Sequence, residues 1–519
     1  MATEEYGFSP IIKQEMIMRK FTSLLFAFIL AQAAFAQAPA TWQTAFNQLQ
    51  PKLQSINAQI LSRWDGQKHG TAFSEDLSLA NSNRGYELIN PATQSQLLAA
   101  IDSMLSAFEM VGLRAIGLTI QYPMFVEGFP NRDKYIQFYE NVVQLARARH
   151  FTILLGCQAT FVDSVFGEPN LTNDVKNFYI GLNSTRYKTE KMQMLQTIID
   201  RLAPDYLTVE MEPQAMTINL LQLVDFQADS MAAYTEYFLR HVNKKNTQIG
   251  AGAGTWDDFV YFEKLAQTGI DFIDYHIYPP HFSYFDDVVF RIDSLAKAHN
   301  KELVIGEAWC YKATNGEMTN ITNPVATSAE IYSRDMFDYW VPIDTLFIKA
   351  LVNLSHFSRV RVTSFFWPTL LYGYLTYNPA IHGNMSFSQK LRSGQQAGFQ
   401  RMLQKQLSPA GAFLQKQIAA ATAVTEKPAE RPAGFALAQN YPNPFNPSTV
   451  ISFQLPVNSR VTLKVFDVNG REVATLMDGE MPAGNHTVTF APCDLAGGLY
   501  FYKITAGKFS RIRKAVFVK

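Results

Sequence analysis

The chain has 519 residues, with 45 basic and 45 acidic side chains and no formal net charge. Balanced charge argues against a nucleic-acid binder driven by bulk positive potential, because phosphate binding draws mainly on Lys and Arg. Hydrophobic residues make up 47%, aromatics 13% and charged residues only 17%, which excludes a disordered chain and leaves rings to spare for a binding surface.

The first readable element starts at Met18. Met18-Arg19-Lys20 is a short basic start, Phe21 to Leu30 is a short apolar run, and Ala34-Phe35-Ala36 is a small-x-small cleavage pattern. Together they predict a secretory signal peptide within residues 1–36, cut after Ala36. The apolar run is too short to span a bilayer comfortably and is soon followed by Gln32 and Gln37. No later stretch reaches spanning length without charges, so no integral membrane segment is expected in the mature protein. Cys157, Cys310 and Cys493 lie far apart and lack zinc-type spacing, so they read as buried free thiols rather than a disulfide framework.

Residues 37–421 alternate strand-like runs with helical patterns. The expected strands are Thr71–Leu77, Arg114–Ile120, Thr152–Gln158, Tyr206–Glu212, Gln248–Ala253, Phe272–Tyr278, Leu303–Ala308 and Val362–Trp367. Apolar residues at helical spacing mark Thr93–Val111, Arg132–Arg149, Lys188–Leu202, Ser230–Val242, Asp257–Gln267 and Asp286–His299. Eight strands alternating with helices predict an α/β fold, a (β/α)8 TIM barrel. A doubly wound sheet is the alternative; the count of eight and the lack of a Gly-x-Gly-x-x-Gly turn favour the barrel. Phe161–Tyr187 reads as a rim loop.

Chemistry in such a barrel sits where the strands end. The fourth strand ends Glu210-Met211-Glu212-Pro213, the sixth His276-Ile277-Tyr278-Pro279, the seventh Gly306-Glu307-Ala308-Trp309 and the eighth Phe366-Trp367-Pro368. With a barrel radius of about 7 Å, the chord between strands four and seven is about 13 Å. Each Glu reaches inward by about 4 Å, which leaves about 5 Å between the carboxyl groups, the separation of a retaining glycosidase; a wider inverting gap stays open. Glu212 and Glu307 are thus the catalytic candidates. Glu210 points to the same side by strand alternation. His276, Tyr278 and Trp367 converge on the same rim, and Trp256 and Trp309 sit just past the fifth and seventh strands, where either could line a subsite. His276 and His281 form no His-x-His pattern, so no metal is expected, and no cofactor.

This constellation resembles glycoside hydrolase clan A, whose fourth strand usually ends Asn-Glu-Pro. The resemblance implies that Glu212, before Pro213, is the acid/base and Glu307 the nucleophile. It implies that His276 and Tyr278 steer the nucleophile and that Trp367 is the sugar platform. Glu307 should then be ionised, its pKa lowered by Tyr278 or His276, and Glu212 raised by apolar surroundings and by Glu307. Met211 stands where the family usually has Asn, and Gly117 roughly where many members carry Arg; Gln121, Gln158 or Glu210 could compensate. The function implied is a secreted retaining glycoside hydrolase with a β-linked glycan as substrate. The alternative is a non-catalytic carbohydrate-binding protein or surface adhesin on a decayed barrel.

Composition shifts near residue 422, and Thr425 to Gly434 (TEKPAERPAG) reads as a linker spanning 422–438. Beyond it, about seven short strands from 439 to 519, with an Asn469-Gly470 hairpin turn, predict a small all-β, Ig-like sandwich. NYPNPFNPST at 440–449, VFDVNGREV at 465–473, Ala483, Gly484 and His486, and LAGGLYFYKI at 495–504 resemble the C-terminal sorting domain of the type IX secretion system. That resemblance implies passage through the periplasm, then engagement of the type IX machinery and release or surface attachment. The tail carries a net +4 and residues 37–438 a net −4, a mildly acidic body that suits a neutral glycan better than a polyanion.

Overall fold

Eight parallel strands close on themselves: β1 (Ala72–Asp76), β2 (Ala115–Thr119), β3 (Thr152–Gly156), β4 (Tyr206–Thr208), β5 (Gln248–Gly254), β6 (Phe272–Ile277), β7 (Glu302–Ala308) and β8 (Val362–Phe365). The barrel closes where β1 pairs with β8, Ala72 beside Val362 and Glu75 beside Phe365. All eight expected strands form, and the doubly wound alternative is excluded. This computed structural model describes residues 38–162, 168–279, 287–319, 330–422 and 435–518, with short breaks at 441–442, 447–448, 458, 482–483, 493–494 and 508. The expected signal peptide, most of the expected linker, His281 and Cys493 lie outside the described residues.

Inward-facing chemistry changes abruptly along the barrel. Ala115, Leu154, Phe272, Val304 and Val362 form an apolar plug of their own inside it. Two residues further along the same strands stand Gly117, Gly156, Asp274, Gly306 and Ser364. A step of two returns to the same face of a strand, so glycines, a hydroxyl and a carboxyl lie on top of the plug. Removing bulk there opens a small pocket of about 20 Å³ at the C-terminal ends of the strands.

Helices cover the outside of the barrel and bury its other face. The six expected helices form within a few residues of their predicted limits, among them Gln94–Val111, which stops at left-handed Gly112 (φ +95°), and Ser184–Leu202, whose Asn183 carboxamide accepts the N–H groups of Thr185 and Arg186. The expected rim loop at Phe161–Tyr187 instead contains the helix Pro169–Phe178, capped by the Glu168 carboxylate on the N–H groups of Asn170 and Leu171. Ala40–Arg63 adds a helix that buries Trp42, Phe46, Leu49, Leu53, Ile56 and Ile60 and packs on Val341–Phe357. No described helix is long and apolar enough to cross a membrane.

Beside β7 the barrel buries a charge cluster. Lys312 is fully buried, 2.6 Å from Asp344 and 3.2 Å from Asp335, and its ammonium lies 4.3 Å from the Trp309 ring. Burial pushes the Asp335 carboxyl up to about 7 even with Lys312 beside it.

The contact pattern divides the chain between Thr422 and Ala423. The second unit has two antiparallel sheets, β13-β10-β9 and β12-β11-β14-β15, seven strands among the described residues. They run β9 (Ala436–Leu437), β10 (Thr449–Leu455), β11 (Ser459–Phe466), β12 (Glu472–Met481), β13 (Gly484–Phe490), β14 (Gly498–Ala506) and β15 (Phe509–Phe517). Ile451 and Phe453 of one sheet share a core with Leu463, Val465, Tyr502 and Ile504 of the other, the layering of an Ig-like sandwich. The Asp467 carboxylate accepts the N–H groups of Asn469 and Arg471 and ties the turn at left-handed Gly470.

Removing the cation from the buried cluster leaves two facing carboxyls without a counter-charge. Lys312→Met should therefore destabilise the barrel by about 3–5 kcal/mol, read by denaturant unfolding, and adding Asp344→Asn should recover part of that loss.

Candidate active site

Four strand ends bring the site together. β4 stops at Thr208, and the chain runs on through Val209 and Glu210 before Met211 turns into the pocket. The Met211 methyl fills the space beside Gly156, where a Cβ would meet its Cε at 2.5 Å. Glu212 follows in the left-handed region (φ +44°, ψ +68°), ahead of the short helix Pro213–Asn219. This backbone is unusual for Glu and aims the side chain across the barrel rather than along the helix.

β7 supplies the facing carboxylate through an irregularity. Its register slips against both β6 and β8 around Gly306 and Glu307, so both residues line the pocket. Glycine is required at 306. A Cβ there would lie 2.6 Å from the Asp274 carboxylate and 2.9 Å from His276 Nε2. The bare Gly306 N–H instead donates to Asp274 Oδ1 at 2.8 Å, while Thr208 Oγ1 donates to Asp274 Oδ2 at 2.7 Å.

His276, only 1% exposed, sits between the carboxylates. Its Nδ1 is 2.6 Å from Glu212 Oε1 and 4.0 Å from Glu307 Oε2, and its Nε2 is 3.8 Å from Asp274. Gln158 Nε2 donates to Glu212 Oε2 at 3.4 Å, and the Tyr278 hydroxyl donates to Glu307 Oε2 at 2.8 Å. Glu212, His276 and Glu307 each offer an atom within 4.8 Å of the others. Among the described residues this trio is the cluster that could hold a metal ion, but His276 Nδ1 and Glu307 Oε2 are already turned to hydrogen-bond partners.

Electrostatics follow from this crowding. Burial alone would lower the His276 pKa, but the charges of Glu307 and Glu212 outweigh it and hold the imidazole well above its usual value. Burial raises Glu307 to about 7; His276 and the Tyr278 hydroxyl pull it down, Glu212 pushes it up. The expectation of a lowered Glu307 is thus corrected. The donors act in the expected direction, and desolvation exceeds them. Asp76, at the end of β1, is raised to about 8 by burial and then by Glu307, and Asp257 to about 7, mainly by burial.

The other expected site residues divide. Tyr278 stacks on Tyr311 at 5.4 Å, and Trp256 meets Tyr278 edge-on at 5.7 Å. Trp367, half-buried with φ +78°, lies 5.4 Å from the Tyr332 ring, so an aromatic wall runs along this side of the cleft. Two expectations fail. Trp309 is 1% exposed, donates its indole N–H to Asp335 and packs edge-on against Phe347, so it is core rather than a sugar platform. Glu210 does not share the face of Glu212, because alternation breaks after β4; its carboxylate accepts the Tyr187 hydroxyl at 2.7 Å and lies 3.7 Å from fully buried Lys191. Gln121 is buried with both amide atoms unpartnered among the described residues, and bonds neither glutamate. Asp76 and Asp274 were missed. Asp274 could have been found as the inward neighbour of His276 two residues back, and Asp76 by reading the end of β1 like the ends of β4, β6 and β7.

Residues 439–519 match the family model of the secretion system C-terminal sorting domain. That tail marks the chain as an exported protein and bears out its motif resemblance. No curated protein gives a significant match to the chain. Among solved structures, an endo-β-1,4-mannanase from Thermotoga petrophila is similar with a TM-score of 0.36 and 12% identity, over 88% of this chain and 99% of that one. A glycoside hydrolase family 30 endoxylanase from Clostridium papyrosolvens gives 0.35 and 11%, over 82% and 98%. A family 5 endo-β-1,4-glucanase from Bacillus licheniformis gives 0.34 and 11%, over 80% and 72%. The barrel itself rests on the strand pairing described above.

If Glu307 must be ionised to act, activity should rise with pH through about 7, where its carboxyl loses the proton. Tyr278→Phe removes a donor that favours the ionised form. The acidic limb of kcat/KM should move to higher pH, with a loss on the order of tenfold at pH 6.

Proposed function

We propose that this protein is a secreted retaining glycoside hydrolase acting on a β-linked glycan. The observation that carries the reading is the facing pair, Glu212 and Glu307, with carboxylate oxygens within 4.8 Å at the C-terminal ends of a closed barrel. A gap that short is below the separation at which inverting enzymes seat an attacking water beside the sugar, and it suits direct attack by one of the carboxylates.

In this reading Glu307 attacks the anomeric carbon while the bond to the leaving sugar oxygen breaks. Glu212 gives that oxygen a proton, which leaves a glycosyl ester on Glu307. Glu212 then takes a proton from water, the water oxygen bonds to the anomeric carbon, and Glu307 departs as carboxylate. His276 serves both halves. Its Nδ1 is 2.6 Å from Glu212 Oε1, so a single proton can pass between them, and its charge steadies Glu307. Tyr278 fixes the oxygen of Glu307 that does not attack. Trp367 and the Tyr278–Tyr311 stack would take the apolar faces of the sugars.

The domain reading is a signal peptide in 1–36, the barrel in 37–421, a linker in 422–438 and the sorting tail in 439–519. The protein would cross the periplasm, engage the type IX machinery through its tail, and be released or held at the cell surface. Met211 and Gly117 favour a second reading, a carbohydrate-binding protein on a decayed barrel, because neither offers the polar group usual at its position.

Glu307→Gln should lower turnover at least about a thousandfold while glycan binding persists, and azide should restore cleavage to Glu307→Ala. NMR of the first-formed product should show retained anomeric configuration. Glycan binding without hydrolysis by the unaltered protein across a broad panel would select the second reading. Deleting residues 439–519 should leave the barrel inside the outer membrane, read by cell fractionation.

A further inference from the structure

We propose that Asp76 is a cation-recognising residue of the sugar subsite beside Glu307, and that the sugar it takes is an amino sugar with a free ammonium group. This rests on the glycosidase reading and names its substrate class. Asp76 closes β1 and lines the pocket together with Glu307, Gly117 and Ser364. It is 8% exposed, and its carboxyl has no hydrogen-bond partner among the described residues. Its neighbour across the β1–β2 ladder is Gly117, which has no side chain to answer it. A Cβ at 117 would lie 3.1 Å from Ser364 Oγ, so that side of the pocket has little room for a larger residue.

Among the described residues no Lys or Arg shares the pocket with Asp76: after β1, Arg84 pairs with Glu87, and after β3, Lys176 is exposed on the helix Pro169–Phe178, Arg186 pairs with Glu190 and Lys191 lies against Glu210. The pocket lining holds Asp76, Asp274 and Glu307 but neither Lys nor Arg among the described residues. The segments after β2 (120–131), β4 (209–227), β5 (255–259), β6 (278–286) and β8 (366–386) contain no Lys or Arg at all. After β7, Lys312 is locked between Asp335 and Asp344, and Arg334 between Glu317 and Glu330. His276 is committed to Glu212. Burial, and then the charge of Glu307, raise the Asp76 carboxyl to about 8, so it keeps its proton near neutrality. An ammonium group placed beside it would displace the proton and supply the missing charge. A neutral sugar offers only hydroxyls, and a uronate would meet like charge.

The test compares calorimetric binding of β-1,4-linked tetramers of glucosamine, N-acetylglucosamine and glucose to the full-length protein and to Asp76→Asn at pH 5.5, where the glucosamine amines carry their protons. The unaltered protein should bind the glucosamine tetramer at least about tenfold more tightly than the other two, and release protons on binding. Asp76→Asn, a near-isosteric change checked by thermal melting, should remove both the preference and the proton release. Equal or weaker binding of the glucosamine tetramer, or a preference that survives Asp76→Asn, would overturn the proposal. Asp76-dependent binding without cleavage would keep the subsite and remove the glycosidase reading. Preferred cleavage of a neutral tetramer would do the reverse.

Discussion

One buried imidazole makes the upper end of this barrel possible. Glu212, Glu307 and Asp274 all approach His276 within 4.0 Å, in a space from which water is largely removed. Without a positive charge among them, those carboxyls would repel one another. The imidazole is held charged by the carboxylates it stabilises, so each group sets the state of the others. The charge states of His276 and Glu307 are therefore linked.

That cluster needs backbone that regular strands do not provide. A straight β4 would have put Glu210 and Glu212 on one face. Instead the strand gives out at Thr208, Glu210 turns to Lys191, Met211 fills the hollow over Gly156, and Glu212 comes forward in a left-handed conformation. β7 makes a comparable departure at Gly306 and Glu307, and Trp367 after β8 is also left-handed. Non-glycine residues in that region cost of order 1–3 kcal/mol each and persist only where surrounding packing dictates them. Two such residues, Glu212 and Trp367, stand where strands meet the site, while the apolar plug beneath stays regular. The plug supplies stiffness, and the irregular ends supply aim.

This division explains what could be read from the residues alone. The strands were legible because their period and length are local properties, and Glu212, Glu307, His276 and Tyr278 were legible because strand ends in a closed barrel must converge. The misplacement of Glu210 follows from applying alternation past the point where the strand ends. Trp309 was misread because a tryptophan just beyond a strand can serve core or cleft, and only its bond to Asp335 decides. Ala40–Arg63 went unread although Trp42, Phe46, Leu49, Leu53, Ile56 and Ile60 form an apolar stripe; Pro51 within the helix blurs that signal. Desolvation was the least legible quantity. The donors to Glu307 can be guessed from sequence, but the burial that outweighs them depends on the whole fold.

The two departures from the clan pattern then acquire a common meaning. In the proposed reading, Met211 in place of Asn and Gly117 in place of Arg take an amide and a cation out of the sugar site. Polar groups return from other strands: Gln158 reaches Glu212 from just past β3, and Asp76 stands beside Gly117 at the end of β1. The exchange is not charge-neutral. A guanidinium next to Glu307 would hold it ionised; a carboxyl next to it pushes the other way, and each of the two is raised. A site arranged like this is incomplete without something positive in it. Either the reaction runs only at a pH where the cluster has lost protons, or the substrate brings the charge that the strands leave out.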